Sequence, residues 1–203
     1  IRPAGFHGGH WRMSTMPPSV RAMQQLCPDV PAALVQEHLA RLSPRYFECF
    51  TQEQIGVHLR ALACLSPAQP VEVLATEHDG VIDCTILAFD YPYEFSLITG
   101  VLASLNFEVQ AGEIFTYTAT RPVSEARRGR RAAERDALLA RRRIVDRFTG
   151  VVRAPVAFAA WQAELRARLA DVIGMVEHGG SDAFDRARQR VNDFVAQHLA
   201  GAQ

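Results

Sequence analysis

Near residue 70 the hydrophobic period of this chain changes from about 3.6 to 2, and that change limits what it can fold into. Before it, Ala33, Leu34, Val35, Leu39 and Leu42 recur at helical spacing after Asp29 and Pro31, a cap and a first-turn proline. Ser43-Pro44 ends that helix. A second one starts at Thr51 with Gln54 three residues on, the pattern of a capping box, and carries Ile55, Leu59, Leu62 and Leu65 on its apolar face. After Ser66-Pro67 the runs are of β type: "VEVLA" (71–75) and "VIDCTILAF" (81–89), with "TEHDG" between them as a hairpin turn ending in Asp-Gly.

Phe95, Ile98, Leu102 and Leu105 then return to helical spacing, so residues 94–105 form a helix and Asn106 is its left-handed stop. "FEVQAGEIFTYTAT" reads as a strand bulged at Gly112. "IVDRFTGVV" (144–152) is a further strand. A long helix follows, with Phe158, Trp161, Leu165, Leu169, Val172 and Val176 along one face and Gly179-Gly180 as its stop. Ser181-Asp182 caps a last helix with Phe184, Ala187, Val191, Phe194, Val195 and Leu199 inside.

This order predicts an α+β fold: a ferredoxin-like antiparallel sheet with two helices on one face, preceded by a helical pair and followed by a further helix. The usual last strand is missing. Residues 71–75 are expected to fill its place, pairing with 81–89 on one side while 144–152 pairs on the other, because an unfilled edge is a sticky one. The expected organisation is a disordered leader over 1–30, a helical linker over 31–66, the main domain over 70–178 with an insertion at 121–143, and a helix over 181–203 leading to a following domain.

Composition excludes several chemistries. All 22 basic residues are arginine, so no P-loop, Schiff-base or kinase-type lysine exists. The four cysteines, Cys27, Cys49, Cys64 and Cys84, form no C-x-x-C pair and read as free thiols of a reducing, cytoplasmic compartment. No run approaches ~18 apolar residues, so no membrane span is expected. No G-x-S-x-G elbow or cofactor motif is present, and no cofactor is expected. His7 and His10 in "HGGH" lack a carboxylate or cysteine nearby to complete a metal shell. His38, His58 and His78-Asp79, used with Asp90, offer a metal-hydrolase reading; Asp79-Gly80 is, however, what a hairpin turn requires for backbone reasons.

A strand, then D-x-P, a helix ending in L-N, and a strand reading V-x-A-x-I-F-T resemble an ACT domain. More narrowly, the chain resembles the C-terminal regulatory part of the bifunctional protein-PII uridylyltransferase/uridylyl-removing enzymes. The matching stretches are Arg45-Tyr46-Phe47, "FTQEQIGVHLRAL" with His58 and Arg60, "PVEVL", Asp90 with Pro92-Tyr93, Phe95, Leu105-Asn106 and "GEIFTY". They keep their order from about residue 39 to about 118, and Val145-Asp146 with Phe148 fits the family's third strand. The resemblance implies a regulatory module that reads an amino acid, glutamine, and biases a nucleotidyltransferase domain or pairs with a second ACT repeat. Neither of the family's catalytic sites is visible, and no catalytic residue is assigned. Two other readings stand beside it: a piece of a catalytic uridylyltransferase/uridylyl-removing enzyme, and a ligand-free interaction module that pairs by sheet edges. Amino-acid-binding ACT domains usually carry glycine after the proline; here that place is Tyr93.

The candidate ligand-binding residues are Asp90, Tyr91, Tyr93, Glu94 and Phe95. Asp90 would hold an α-amino group, and the N–H groups of Tyr93, Glu94 and Phe95 its carboxylate, aided by the helix dipole. The plainer alternative makes Asp90 a cap and packs Tyr91 and Tyr93 on neighbours. Residues 121–143 carry nine arginines against three acids and no aromatic residue, which reads as a solvated excursion rather than a nucleic-acid surface. Deleting 124–140 and closing the gap with a short Gly/Ser turn is expected to leave the melting temperature within about 5 °C, roughly 1–2 kcal/mol for a chain of this size. A larger drop in a thermal melt means that the excursion packs.

Overall fold

The computed structural model describes residues 17–119 and 141–201. Helices α1 (Val20–Leu26), α2 (Ala32–Arg41), α3 (Pro44–Cys49) and α4 (Gln52–Cys64) come first. Strands β1 (Val71–His78) and β2 (Val81–Phe89), helix α5 (Glu94–Ser104), strands β3 (Phe107–Thr116) and β4 (Arg143–Val152), and helices α6 (Phe158–His178) and α7 (Ala183–Gly201) complete it. The sheet is antiparallel throughout, in the order β1-β2-β4-β3. The early hairpin therefore does fill the position beside β2, and β4 inserts between β2 and β3. This α+β arrangement is compatible with a ferredoxin-like sheet.

The hairpin is tighter than the sequence suggests. Asp79 and Gly80 both take positive φ, 51° and 77°, so two residues make the whole turn and β1 runs on to His78. Asn106, at φ 56°, is the left-handed stop after α5. The bulge in β3 falls at Gln110 rather than at Gly112, since the register shifts between Val109 and Ala111. Gly112 pairs normally, opposite Phe148.

Both faces of the sheet are covered. Cys84 to Phe89 of β2 are all buried, as a strand with helices on each side requires. On one side, α5 and α6 lie against the sheet: the Phe107 and Trp161 rings are 5.3 Å apart, and Arg166 of α6 donates to the Val73 carbonyl oxygen. Helix α7 packs outside them through Ala187, Val191 and Phe194, whereas Leu199, expected inside, is exposed. On the other side the residues expected as a helical linker close the sheet. Tyr46 and Phe50 meet Phe115 edge to face, with centroids at 5.3 and 5.8 Å. The core formed this way is one continuous cluster.

Several local expectations change. The Thr51–Gln54 capping box is present, but α2 has Pro31 at its cap, with no side-chain bond. Asp29 instead pairs with Arg60. Residues 20–30, expected as part of an irregular leader, include α1, capped by Ser19 and anchored by the fully buried Met23. Ser43-Pro44 starts the short helix α3 as well as ending α2, because proline is suited to a first helical position.

Where β3 and β4 run closest, no side chain fits. A Cβ on Gly150 would lie 2.2 Å from the Glu108 carbonyl oxygen, whereas one on Gly112 would meet nothing nearer than 3.7 Å. Gly150→Ala is expected to destabilise the chain by about 1–3 kcal/mol, the usual cost of overpacking, and Gly112→Ala by much less. Chemical denaturation of the two variants checks this; equal losses would contradict the packing described here.

Candidate functional site

The turn after β2 gathers charge around a strained corner. Asp90 neither caps α5 nor stands free: its carboxylate pairs with Arg142 at 3.0 Å, and its N–H donates to the Arg142 carbonyl oxygen. Tyr91 is buried, its hydroxyl donating to Glu177 of α6. Glu177 is also held by a two-pronged bond from Arg141, at 2.9 and 2.7 Å. Burial opposes its charge, but the bonds from Arg141 and Tyr91 hold its carboxyl below the ordinary range. The Arg141 guanidinium stacks on the Phe89 ring, 3.8 Å from its centroid.

Tyr93 caps α5 in the left-handed region, at φ 62° and ψ 13°, with its ring exposed and resting on Phe184 at 4.6 Å. The N–H of Glu94 is committed to the Tyr91 carbonyl oxygen, so it is not available to a ligand. The N–H groups of Tyr93 and Phe95 have no partner among the described residues. Phe95 is half exposed and lies over Phe148.

Glu94 differs most from its expected role. Its side chain turns inward, is 4% exposed, and accepts from the Tyr91 N–H at 3.4 Å. Its second oxygen has no hydrogen-bond partner among the described residues. Asp146 of β4 is equally buried, and one of its oxygens accepts from the Phe115 N–H. Burial pushes Glu94 well above the ordinary carboxyl range, and Asp146 pushes it further. Burial raises Asp146 to about 7. The corner therefore does not carry the full acidic charge that "DYPYE" suggests.

Sequence reasoning missed Asp146, Glu177 and the packed end of the arginine run. One signal was present: Asp146 shares its alternation with Ile144 and Phe148, which places an acid on an inward face. Arg141, Arg142 and Arg143 are not part of a solvated excursion; each is tied to a different acid, Glu177, Asp90 and Glu37. Residues 121–140 of that segment, and His7 and His10, lie outside the described residues. His38 and His58 do come together, on either side of the Tyr46 hydroxyl, while His78-Asp79 is exposed at the hairpin tip. Among the described residues, no group of three histidine, cysteine or acidic side chains is placed to hold a metal ion, and no helix is long and apolar enough to cross a membrane. The four cysteines are free. In comparisons with known proteins, no family model and no curated protein matches the chain.

The acid pair makes stability depend on pH in a definite direction. The folded chain keeps these protons to higher pH than the unfolded chain, so their contribution is complete below the ordinary carboxyl range and is lost as pH rises, the Asp146 share through about 7. Asp146→Asn cannot ionise and keeps an acceptor for Phe115. It is expected to melt at least about 2–4 °C above the wild type at pH 8, roughly 1 kcal/mol for a chain of this size, and close to it at pH 4. Melting curves that stay parallel from pH 4 to 8 would contradict the pair.

Proposed function

We propose that this chain is an ACT-like regulatory module that senses an amino acid of the glutamine type at the β2–α5 turn. Its proposed output is a nucleotidyltransferase domain or a second module of the same kind. The observation that carries this reading is Tyr93. A bulky residue held in the left-handed region costs roughly 1–3 kcal/mol, and such strain is concentrated at ligand clamps and switches. Glycine is usual there in amino-acid-binding ACT domains, so Tyr93 keeps the turn's backbone shape at a cost. Beside it, two N–H groups at the start of α5 that have no partner among the described residues suit a carboxylate, and the inward, largely neutral Glu94 does not oppose one. Asp90 suits an α-amino group if Arg142 gives way.

The ligand-free interaction module has its own support. β3 is one edge of the sheet, and Val109 and Ile114 on it are 43% and 47% exposed, with Phe95 nearby at 51%. An open edge flanked by apolar side chains favours pairing with another strand.

Glutamine at about 100 times its dissociation constant is expected to stabilise the fold by about 2.7 kcal/mol, a rise of roughly 5–10 °C in a thermal melt. Glutamate is expected to do less, because Asp90 repels a second carboxylate. Asp90→Asn is expected to lose the glutamine shift. A protein carrying any adjoining module that shows no glutamine shift would leave the edge-pairing reading in its place.

A further inference from the structure

Away from that turn, between α4 and the β1–β2 hairpin, lies a cleft of about 280 Å³. Its walls are Phe50, Val57 and Leu74, and its polar lining includes His58, Asp83 and Arg147. Arg147 is already neutralised within the cleft, since its Nε donates to both Asp83 oxygens at 2.9 and 3.0 Å. Glu53 stands at the same opening, so the lining carries two acids against one arginine.

His58 is the end of a buried hydrogen-bonded chain. The Tyr117 hydroxyl is 2.7 Å from His38 Nδ1, His38 Nε2 is 3.0 Å from the Tyr46 hydroxyl, and that hydroxyl is 2.7 Å from His58 Nδ1. Burial lowers His38 to about 3 and His58 to about 4, so both rings are neutral at ordinary pH. The chain has two possible directions. If protons point from Tyr117 toward His58, each hydroxyl and each ring N–H in the interior has an acceptor. If they point the other way, the Tyr117 proton has no acceptor among the described residues. A buried unsatisfied donor is costly, so the first direction prevails. His58 then accepts at Nδ1 and carries its proton on Nε2, which has no hydrogen-bond partner among the described residues but is not a buried unsatisfied atom, because His58 lines the open cleft.

We infer that the α4–hairpin cleft is a binding site for a small, uncharged carbonyl compound, whose apolar body lies among Phe50, Val57 and Leu74 and whose oxygen accepts from His58 Nε2–H. A carboxylate fits less well, because Asp83 and Glu53 outweigh Arg147. Tyr117 acts as a positioning residue, setting from a distance which His58 nitrogen holds the proton.

The test uses the 203-residue chain labelled with ¹⁵N, with two-bond proton–nitrogen correlations reading the histidine tautomers. His58 is expected in the Nε2–H form; an Nδ1–H form overturns the inference. Cyclohexanecarboxamide is then titrated. It is expected to shift the His58 Nε2 and Val57 and Leu74 methyl signals saturably, with a dissociation constant of about 1 mM, ordinary for a compound of this size. Cyclohexanecarboxylate is expected to bind at least about tenfold more weakly, a like-charge cost of ~1.4 kcal/mol. No saturable shift, or equal binding of the acid, overturns the inference. Val57→Phe fills the cleft from its exposed wall and is expected to abolish the shifts; unchanged binding overturns it as well. Tyr117→Phe is expected to give mixed His58 tautomers and an amide affinity about twofold weaker, in proportion to the competent fraction. A variant that keeps the Nε2–H form shows that the chain does not set the proton, and overturns the inference too.

Discussion

Everything in this sheet depends on β4 reaching the gap between β2 and β3. Both neighbours use their ladders on it, and β2 and β4 are buried on both faces. Backbone groups there have no water to turn to, so a failure of β4 to insert leaves two rows of unsatisfied donors and acceptors. Yet β4 carries Arg143, Asp146 and Arg147 into that position. Each is met differently. Arg143 pairs with Glu37 of α2, Arg147 with Asp83 of β2, and Asp146 holds a backbone N–H while its own charge is suppressed. Breaking a buried ion pair by removing one partner costs about 3–5 kcal/mol because the other charge is left buried and unpaired, so Arg143 and Glu37 make the helical layer and the sheet depend on each other.

The same strand links the two surfaces with functional character. Asp146 points toward α5 and sits beside Glu94, beneath the strained turn. Arg147 is the next residue, so strand alternation sends it to the opposite face, into the cleft beside His58. The turn is defined by backbone strain and by N–H groups with no partner among the described residues. The cleft is defined by a hydrogen-bonded chain of side chains from α2, α3, α4 and the end of β3. These are different kinds of preorganisation, and they lie on opposite sides of one sheet.

The arginines just before β4 act as clamps. Arg141 ties the sheet to the end of α6 through Glu177, and Arg142 ties it to the β2–α5 corner through Asp90. Helix α2 adds a further clip at the end of β3, where Arg41 and Thr118 exchange bonds through both backbone and side chain. Charge therefore closes the top of the sheet where apolar packing runs out.

Local signals in the sequence determined the elements. Period 2 against period 3.6, the Asp79-Gly80 turn, Asn106, the Thr51–Gln54 box and Trp161 on its helical face each rest on residues a few positions apart, and each is visible without knowing the fold. So is the placing of β1 beside β2, since a short turn ending in Asp-Gly leaves a strand no other neighbour. Tertiary structure alone decided the rest. Nothing in "PAALVQEHLARL" says that its helix covers the second face of a distant sheet, or that His38 there will share Tyr46 with His58. The bulge at Gln110 rather than Gly112 was set by where β4 had to pair. Glu94 reads as a surface charge at a helix start and becomes a buried, largely neutral acid because the fold turns its side chain inward, with Asp146 beside it raising it further. These outcomes depend on side chains far apart in sequence meeting in a low-dielectric interior, where a partner's identity decides both charge and proton position.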